Sequence, residues 1–350
     1  MAAFRVIIPT RDSARWIGVF LSAYRKLGVE PFYAVDARSD DATLEILRRM
    51  QADFKTFTPS GDYVESGMIE FASANAGAEW ALRMDDDEFP SRRLIEWART
   101  VTTSSLNQAW VVFRRDLFFK EGVIYWTRSV CRRGFLHAPD AVGAHLRLHQ
   151  TRRVRYEGKL HSDGFEPVGL LGIAPKDAVF AHFDCLLRPA DERAAKLRRY
   201  ESIDPGSSWK LGDEYLPELF SLEHHLATTE GVEEFEPLLR SLPLVAEMHD
   251  PGLSDDEART MFSRTMAHRD EKLLAIAKDP VAYVSADDIP RVFLFAPPIF
   301  AKLVGELMRT LGWGAARALG GRLCRYAKFV RGRPPARVAE IEARAGAQEA

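Results

Sequence analysis

Four consecutive acidic residues, Asp85–Glu88, are the strongest candidates for chemistry in this sequence. They directly follow the apolar run 80–84, which has the composition of a buried strand. Carboxylates at i and i+2 of an extended segment point the same way, so Asp85 and Asp87 can share one task. Hard oxygen ligands suit Mg²⁺ or Mn²⁺, with water and substrate phosphate completing the coordination. The run therefore predicts a divalent-metal site, and the alternative is an acidic turn that only caps the next helix.

A second acidic residue, Asp36, ends the apolar run 32–36 and is followed by Ser39 and Asp41. An acid at the tip of a strand is placed to accept hydrogen bonds from a nucleotide base or ribose. Asp and Ser also gather at strand-to-helix turns for capping alone. Both interpretations remain open on these residues.

The elements that must position these acids alternate between strand and helix patterns. Apolar runs predict strands over 4–9 and 32–36, and amphipathic periodicity predicts helices over 16–27 and 43–50. This order indicates a parallel sheet with helices on both faces. Ligands bind such sheets at the carboxyl ends of the strands, where Asp36 and the acidic run lie.

The rest of the chain divides into three parts by pattern. Helices are predicted over 66–79, 90–99 and 189–200, and strands over 80–84, 110–119, 123–126, 152–160 and 179–183. Residues 206–290 are helical in pattern, with no convincing strand. We therefore expect an α/β domain over 1–205, a helical region over 206–290 and a separate terminal segment over 291–350.

Composition limits the function classes. The 350 residues are 46% hydrophobic and 28% charged with a formal net charge of -2, which is typical of a globular protein and argues against nucleic-acid binding by a basic surface. Three cysteines without a CxxC spacing indicate neither a disulfide framework nor a thiolate zinc site. No run has the length of a signal-peptide core or a membrane span, so a cytoplasmic location is expected.

Residues 313–337 carry seven basic side chains, no acidic one and interleaved apolar residues. A basic amphipathic stretch suits an anionic membrane surface and predicts peripheral attachment. The alternative is a helix docked on the preceding domain with a solvated basic face.

Several motifs taken together resemble the family 2 glycosyltransferases of the GT-A fold, in the bacterial branch with a D-x-D-E-F motif. The matching motifs are Ile7-Ile8-Pro9-Thr10-Arg11-Asp12, Trp16-Ile17, Leu27-Gly28-Val29, Val35-Asp36 with Ser39, Asp41 and Thr43, and Trp80 with Asp85-x-Asp87-Glu88-Phe89. The region covered is roughly 4–97, with weaker similarity through Tyr200. The glycines that relatives often carry are replaced here by Arg38 and Ala42, which predicts a stiffer loop near the nucleotide.

The resemblance implies a GT-A-type mixed, mainly parallel sheet flanked by helices, and a hexosyl- or related transferase that uses a nucleotide-diphosphate sugar. Inversion at the sugar carbon, a glycan or lipid-linked acceptor, and a part in cell-surface polysaccharide or glycolipid synthesis are further expectations. Mn²⁺ or Mg²⁺ would neutralise the charge of the leaving diphosphate. The nucleotide-binding set is Pro9, Thr10, Arg11, Asp36, Arg83 and Asp85, and the metal set is Asp85, Asp87 and His182.

An inverting transfer also needs a carboxylate to take the acceptor proton. Relatives often carry Glu-Asp or His-Glu where this chain has His161-Ser162-Asp163. Asp163 is the preferred base, Asp184 the second and Glu157 the third, with His161 as a further site residue.

Two other functions stay open. One is a nucleotidyltransferase, although 9–12 lacks the glycine-rich loop such enzymes use. The other is an inactive nucleotide-sugar-binding or membrane-scaffold protein.

Overall fold

A computed structural model of the chain describes residues 2–59, 65–103, 107–127, 144–152, 154–156, 165–167, 170–206, 208–222, 227–245 and 250–278. The strands are β1 Ala2–Thr10, β2 Phe32–Asp36, β3 Asp53–Phe57, β4 Ala78–Arg83, β5 Glu88–Pro90, β6 Asn107–Lys120, β7 Val123–Thr127, β8 Ala144–Gln150, β9 Val154–Tyr156, β10 Phe165–Pro167, β11 Leu170–Ile173, β12 Val179–His182 and β13 Ala227–Thr228. The helices are α1 Ile17–Lys26, α2 Thr43–Arg49, α3 Glu65–Asn75, α4 Arg92–Val101, α5 Asp184–Leu187, α6 Ala190–Ile203, α7 Gly212–Tyr215, α8 Glu236–Leu239 and α9 Asp255–Lys278. Short 3-10 helices cover Ser208–Leu211, Pro217–Leu219 and Val232–Phe235.

One large mixed sheet organises the chain, in the order β13-β7-β6-β8-β4-β1-β2-β3. The strands β3, β2, β1 and β4 run parallel, and β8 joins them to β6 in antiparallel pairing. Both β11 and β12 add to β6 in parallel, while β5 pairs antiparallel with β12. The carboxyl ends of β1, β4 and β12 therefore lead to one edge of the sheet.

Helices cover both faces of this sheet because alternate residues of β1 point to opposite sides. Val6 and Ile8 belong to the main core, which includes the apolar sides of α1 and α4. Ile7 belongs to a second core that includes Ala72 and Ala76 of α3. The observed architecture confirms the predicted mixed sheet flanked by helices.

Among the described strands, β3, β5, β8, β10, β11 and β13 were not predicted, and β3 and β8 show two opposite reasons. The edge strand β3 is largely exposed, so its polar alternation does not stand out from a loop. The strand β8 contains histidines and an arginine, yet Arg147 and His149 are buried. The helix expected over 66–79 ends at Asn75, and β4 begins at Ala78. The side-chain pattern could not locate that boundary because Ala76 is buried like the helix before it.

Residues after 206 are mainly helical where they are described, as expected, with one addition. The two-residue strand β13 pairs with β7. Phe235, Leu238 and Leu242 belong to the main core, so this segment packs on the same sheet, whereas Tyr215 and Met261 belong to a separate cluster with α6. Within the part of the chain that the structure describes, no helix is both long and apolar enough to cross a membrane. The terminal segment 291–350 lies outside the described residues.

Candidate functional site

The acidic run forms a tight turn between β4 and β5, and its carboxylates face different partners. The Glu88 amide donates to the Asp85 carbonyl at 3.1 Å, and the Asp85 amide donates to the Glu88 side chain at 2.9 Å. This turn replaces the extended geometry that the i, i+2 argument assumed. Asp85 and Asp87 consequently contact different cations and do not share one set of neighbours.

Asp85 lies between two arginines that neighbouring strands supply. Its carboxylate oxygens are 3.2 Å from Arg83 and 3.2 Å from Arg147, and Arg147 also pairs closely with Glu88. Burial alone would raise the pKa of Asp85, but the Arg83 and Arg147 guanidiniums hold it well below its usual range. Burial raises the pKa of Glu88 to about 7 against the opposing effect of Arg147. The ion pairs of Asp85 and Glu88 with these arginines stabilise the turn between β4 and β5.

Asp86 connects the acidic turn to the loop after β1. Its carboxylate accepts hydrogen bonds from the Thr10 hydroxyl at 2.7 Å, from the Arg11 amide at 3.3 Å and from the Ser13 hydroxyl. Burial and the neighbouring Asp87 raise the pKa of Asp86 to about 6. Asp86, the second acid of the run, thus holds the β1–α1 loop beside the other acids.

Asp87 meets two residues from the end of β12. The side chains of Asp87, His182 and Asp184 each offer a ligand atom, and these atoms all lie within 4.8 Å of one another. Asp87 Oδ1 is 3.6 Å from His182 Nε2. All three residues are buried, and one carboxylate oxygen of Asp184 has no hydrogen-bond partner. Two carboxylates and an imidazole in this arrangement form a donor set suited to a divalent cation.

Two cations of the chain lie against the same acids. The Arg188 guanidinium is 2.7 Å from Asp87 and contacts Asp184, and Lys196 Nζ is 3.0 Å from Asp184 and 3.9 Å from Asp87. Arg188 also packs over the Trp16 ring at 4.5 Å. Although burial alone would raise the pKa of Asp184, Lys196 and Arg188 hold it well below its usual range. In this arrangement two positive charges balance two carboxylates.

A second buried ion network lies behind His182. His182 Nδ1 is 2.8 Å from Asp116 Oδ1, and Arg114 Nε is 2.8 Å from the same oxygen. Arg114 also pairs with Glu214 of α7. Burial alone would lower the pKa of His182, but the carboxylates of Asp87 and Asp116 raise it. The imidazole is therefore held between two acids, one at each ring nitrogen.

Several of these groups, including Asp87, His182 and Lys196, line a cavity of about 620 Å³, whereas Asp184 and Asp116 are not part of its lining. Its walls come from the β1–α1 loop, the acidic turn, β8, the end of β12, and one side of α6 with the end of α7. The α6 side contributes Glu192, Ala195, Lys196, Arg199, Tyr200 and Ile203, which repeat at helical spacing. The cavity is large enough for a small organic ligand and has a strongly charged lining.

The structure brings most of the predicted site residues together. Those that line the cavity are Pro9, Thr10, Arg11, Arg83, Asp85, Asp87 and His182. Asp36 is fully buried and held by Arg38 at 2.9 Å, with Arg11 at 3.9 Å, and it does not belong to the cavity lining in the described part of the chain. Glu157, His161 and Asp163 lie outside the described residues.

Sequence reasoning missed the cations and the second ion network. Arg188 precedes α6 and Lys196 lies within it. The sequence shows that this helix is basic, but it does not show which of its side chains face inward. Arg114, Asp116 and Arg147 are charged residues inside the strands β6 and β8, and all three are buried. The available signal for the second ion network was the presence of charged residues within strand segments. A charged side chain that the fold buries needs a partner of opposite charge.

A buried histidine next to the site predicts a pH dependence of stability. His149 bonds Ser73 at 3.1 Å and Tyr156 at 3.2 Å, and burial, with Arg83 nearby, lowers its pKa to about 3. The unfolded chain takes up a proton near pH 6.5 and the folded chain does not, so stability falls as pH drops below 6.5. His149→Gln is expected to remove about 2 kcal/mol of the wild-type loss between pH 7.5 and 5.

Urea denaturation of both proteins at the two pH values measures this difference. An identical pH dependence in wild type and variant would contradict the assignment of the neutral form to His149.

Comparisons with known proteins found solved structures whose sequence identity to this chain is low. No protein-family model matches the chain, and no curated protein matches it. The solved structure of TarS from S. aureus is 12% identical with a TM-score of 0.37, covering 93% of this chain and 52% of that one. TarS 1-349 in complex with UDP-GlcNAc is 14% identical with a TM-score of 0.36, covering 93% and 90%.

A further similar structure is glucosyl-3-phosphoglycerate synthase from Mycobacterium tuberculosis, in complex with Mn²⁺, uridine-diphosphate and glucosyl-3-phosphoglycerate. It is 16% identical with a TM-score of 0.28, covering 32% of this chain and 44% of that one. The chain thus spans about half the length of the longer TarS chain and less than half of the synthase.

Proposed function

We propose that this chain is a metal-dependent glycosyltransferase that moves a sugar from a nucleotide-diphosphate donor to an acceptor hydroxyl. The observation that carries the proposal is the cluster of Asp87, His182 and Asp184 at the carboxyl edge of the sheet, beside a charged cavity of about 620 Å³. Nucleotide ligands bind α/β sheets at this edge. The D-x-D-E-F resemblance points to the same cluster through Asp87.

The donor set fits a divalent cation on chemical grounds. It combines oxygen and imidazole ligands. One buried carboxylate oxygen of Asp184 also has no hydrogen-bond partner among the described residues, so it is available to a cation. Asp87, His182 and Asp184 would hold the ion, which is Mn²⁺ or Mg²⁺. When bound, it supplies Lewis-acid neutralisation of the charge on the departing diphosphate.

The chain's own cations would also bind the diphosphate. Arg188 and Lys196 already lie at the wall of the cavity, and Arg11 lies on the loop held by Asp86. Fixed positive charges in a site of low water content stabilise developing negative charge without rearranging. Asp85 contributes indirectly, because its arginine partners keep the turn in place.

The general base remains a proposal on Asp163, with His161 beside it and Glu157 as an alternative. Asp184 fits this task poorly, because its carboxylate is fully buried and pairs with two cations. A base must reach the acceptor hydroxyl within hydrogen-bond distance. We therefore assign Asp184 to the metal and not to proton transfer. Inversion at the sugar carbon is part of the proposal.

The acceptor side is proposed on sequence grounds alone. A glycan or lipid-linked acceptor, with 313–337 on an anionic membrane surface, would place the chain in cell-surface polysaccharide or glycolipid synthesis at the inner face of the membrane. Liposome flotation with and without residues 291–350 tests this location. Equal flotation of both forms would contradict it.

The experiment that tests the function is release of nucleoside diphosphate from a panel of sugar donors, with Mn²⁺ or Mg²⁺ and with EDTA. We expect release from one donor that depends on the cation and increases with an added acceptor. Donor binding without turnover on any acceptor would favour the nucleotide-sugar-binding protein. Release of inorganic pyrophosphate from a nucleoside triphosphate and a sugar phosphate would favour a nucleotidyltransferase.

A further inference from the structure

We infer that Asp116 is a positioning residue that orients His182 for the metal. Its carboxylate accepts the Nδ1 proton of His182, so that Nε2 is presented to Asp87 and to the cation. This inference rests on the proposed function, because it assigns a task to the imidazole only if a cation binds there.

The pairing of two strands in the sheet places Asp116 beside His182. The strands β6 and β12 run parallel, and Asp116 lies directly opposite His182 in their pairing. Residues paired across parallel strands have their side chains on the same face. This explains the 2.8 Å separation between His182 Nδ1 and Asp116 Oδ1, while Nε2 lies 3.6 Å from Asp87 on the other side of the ring.

Asp116 is itself held from behind. Arg114 lies two residues earlier on β6, hence on the same face, and its Nε is 2.8 Å from Asp116 Oδ1. Glu214 of α7 pairs with the same guanidinium. The Tyr215 ring meets the imidazole edge-on with the ring centroids 6.4 Å apart. These contacts therefore restrict the orientation of the imidazole ring and determine which of its nitrogens carries the proton.

This arrangement has the form of a carboxylate–histidine–metal triad, in which the outer carboxylate determines which ring nitrogen is free. An asparagine at 116 could accept from Nδ1–H or donate to a bare Nδ1. Asp116→Asn therefore keeps the size of the side chain but no longer enforces one tautomer. Loss of such outer partners typically costs 10–100-fold in metal affinity.

The test is a titration of the full-length protein with Mn²⁺ alone, followed by electron paramagnetic resonance of the free ion. We expect Asp116→Asn to raise the Kd for Mn²⁺ by about 10–100-fold, and His182→Ala to raise it at least as much. Glu201→Gln is the control, because Glu201 pairs with Arg264 and accepts from Ser208, and it is not among the charges that act on Asp87, His182 or Asp184. Its Kd should equal that of the wild type.

A second measurement needs no variant that might fail to fold. Nitrogen-15 NMR of labelled histidines in the metal-free wild type, above the pH at which His182 loses its proton, should show His182 protonated at Nδ1. Protonation at Nε2, or equal Mn²⁺ affinity in wild type and a folded Asp116→Asn, would overturn the inference while leaving the proposed function intact. A wild type that binds no Mn²⁺ would overturn both.

Discussion

Asp87→Asn is expected to lower the cation-stimulated release of nucleoside diphosphate by about 10²–10³-fold, the typical cost of removing one preorganised electrostatic group from a reacting site. Asp87 lines the cavity and also belongs to the donor cluster with His182 and Asp184. An amide is a much weaker ligand for a hard cation than a carboxylate. The measurement is steady-state release with the donor identified in the panel, at increasing Mn²⁺.

The fold of this variant should persist, because Arg188 keeps its contact with Asp184. Asp177→Asn is the control, since this exposed acid pairs only at the surface with Arg93 among the described residues. It should retain full release. Unchanged release in Asp87→Asn at every Mn²⁺ concentration would show that the cluster does not hold the catalytic cation.

Arg147→Met is expected to lower the free energy of unfolding by about 3–5 kcal/mol, the usual cost of removing one partner of a buried ion pair. Arg147 has 3% side-chain exposure, pairs with Glu88 and Asp85, and packs over Phe180. Without it, Glu88, whose pKa is already about 7, takes up a proton and stays buried without its strongest partner, and Asp85 keeps only Arg83 as a contacting cation among the described residues. Urea denaturation at pH 7 measures the difference between the variant and the wild type.

A double variant separates this cause from a packing defect. Combining Arg147→Met with Glu88→Gln removes both charges but keeps a side-chain oxygen that can accept from the Asp85 amide, so stability should recover in part. Arg5→Met is the surface control, because Arg5 pairs with the half-exposed Asp53, and it should cost less than about 1 kcal/mol. A loss for Arg147→Met as small as that of the surface control would contradict the buried-pair argument.

The strands and helices that the sequence predicted well are those whose burial follows a simple period. The strand β2 was predicted at its observed bounds, and α1, α2, α4 and β12 were predicted within two residues or so. In each of these elements the inner face is apolar. Among the strands that the sequence did not predict, β3 and β8 carry polar residues, in β3 because the edge is exposed and in β8 because the strand lines the site.

The candidate site shows the same division. The sequence indicated the acidic run at a strand end, and it named His182 as a metal ligand and Asp184 as a site residue. It could not show that Asp85, Asp86 and Asp87 contact different partners. That outcome depends on a turn and on Arg147, Thr10 and His182, which are far from the run along the chain.

The sequence by itself therefore determined the alternation of strands and helices, the edge of the sheet where charged groups collect, and the class of chemistry that those groups can perform. Only the tertiary structure decided that Asp85 meets Arg147 and that Asp87 meets Arg188, because these contacts join residues 62 and 101 positions apart. Local periodicity carries no information about such distant pairs. The free energy of burying a charge depends on the partner that the fold delivers.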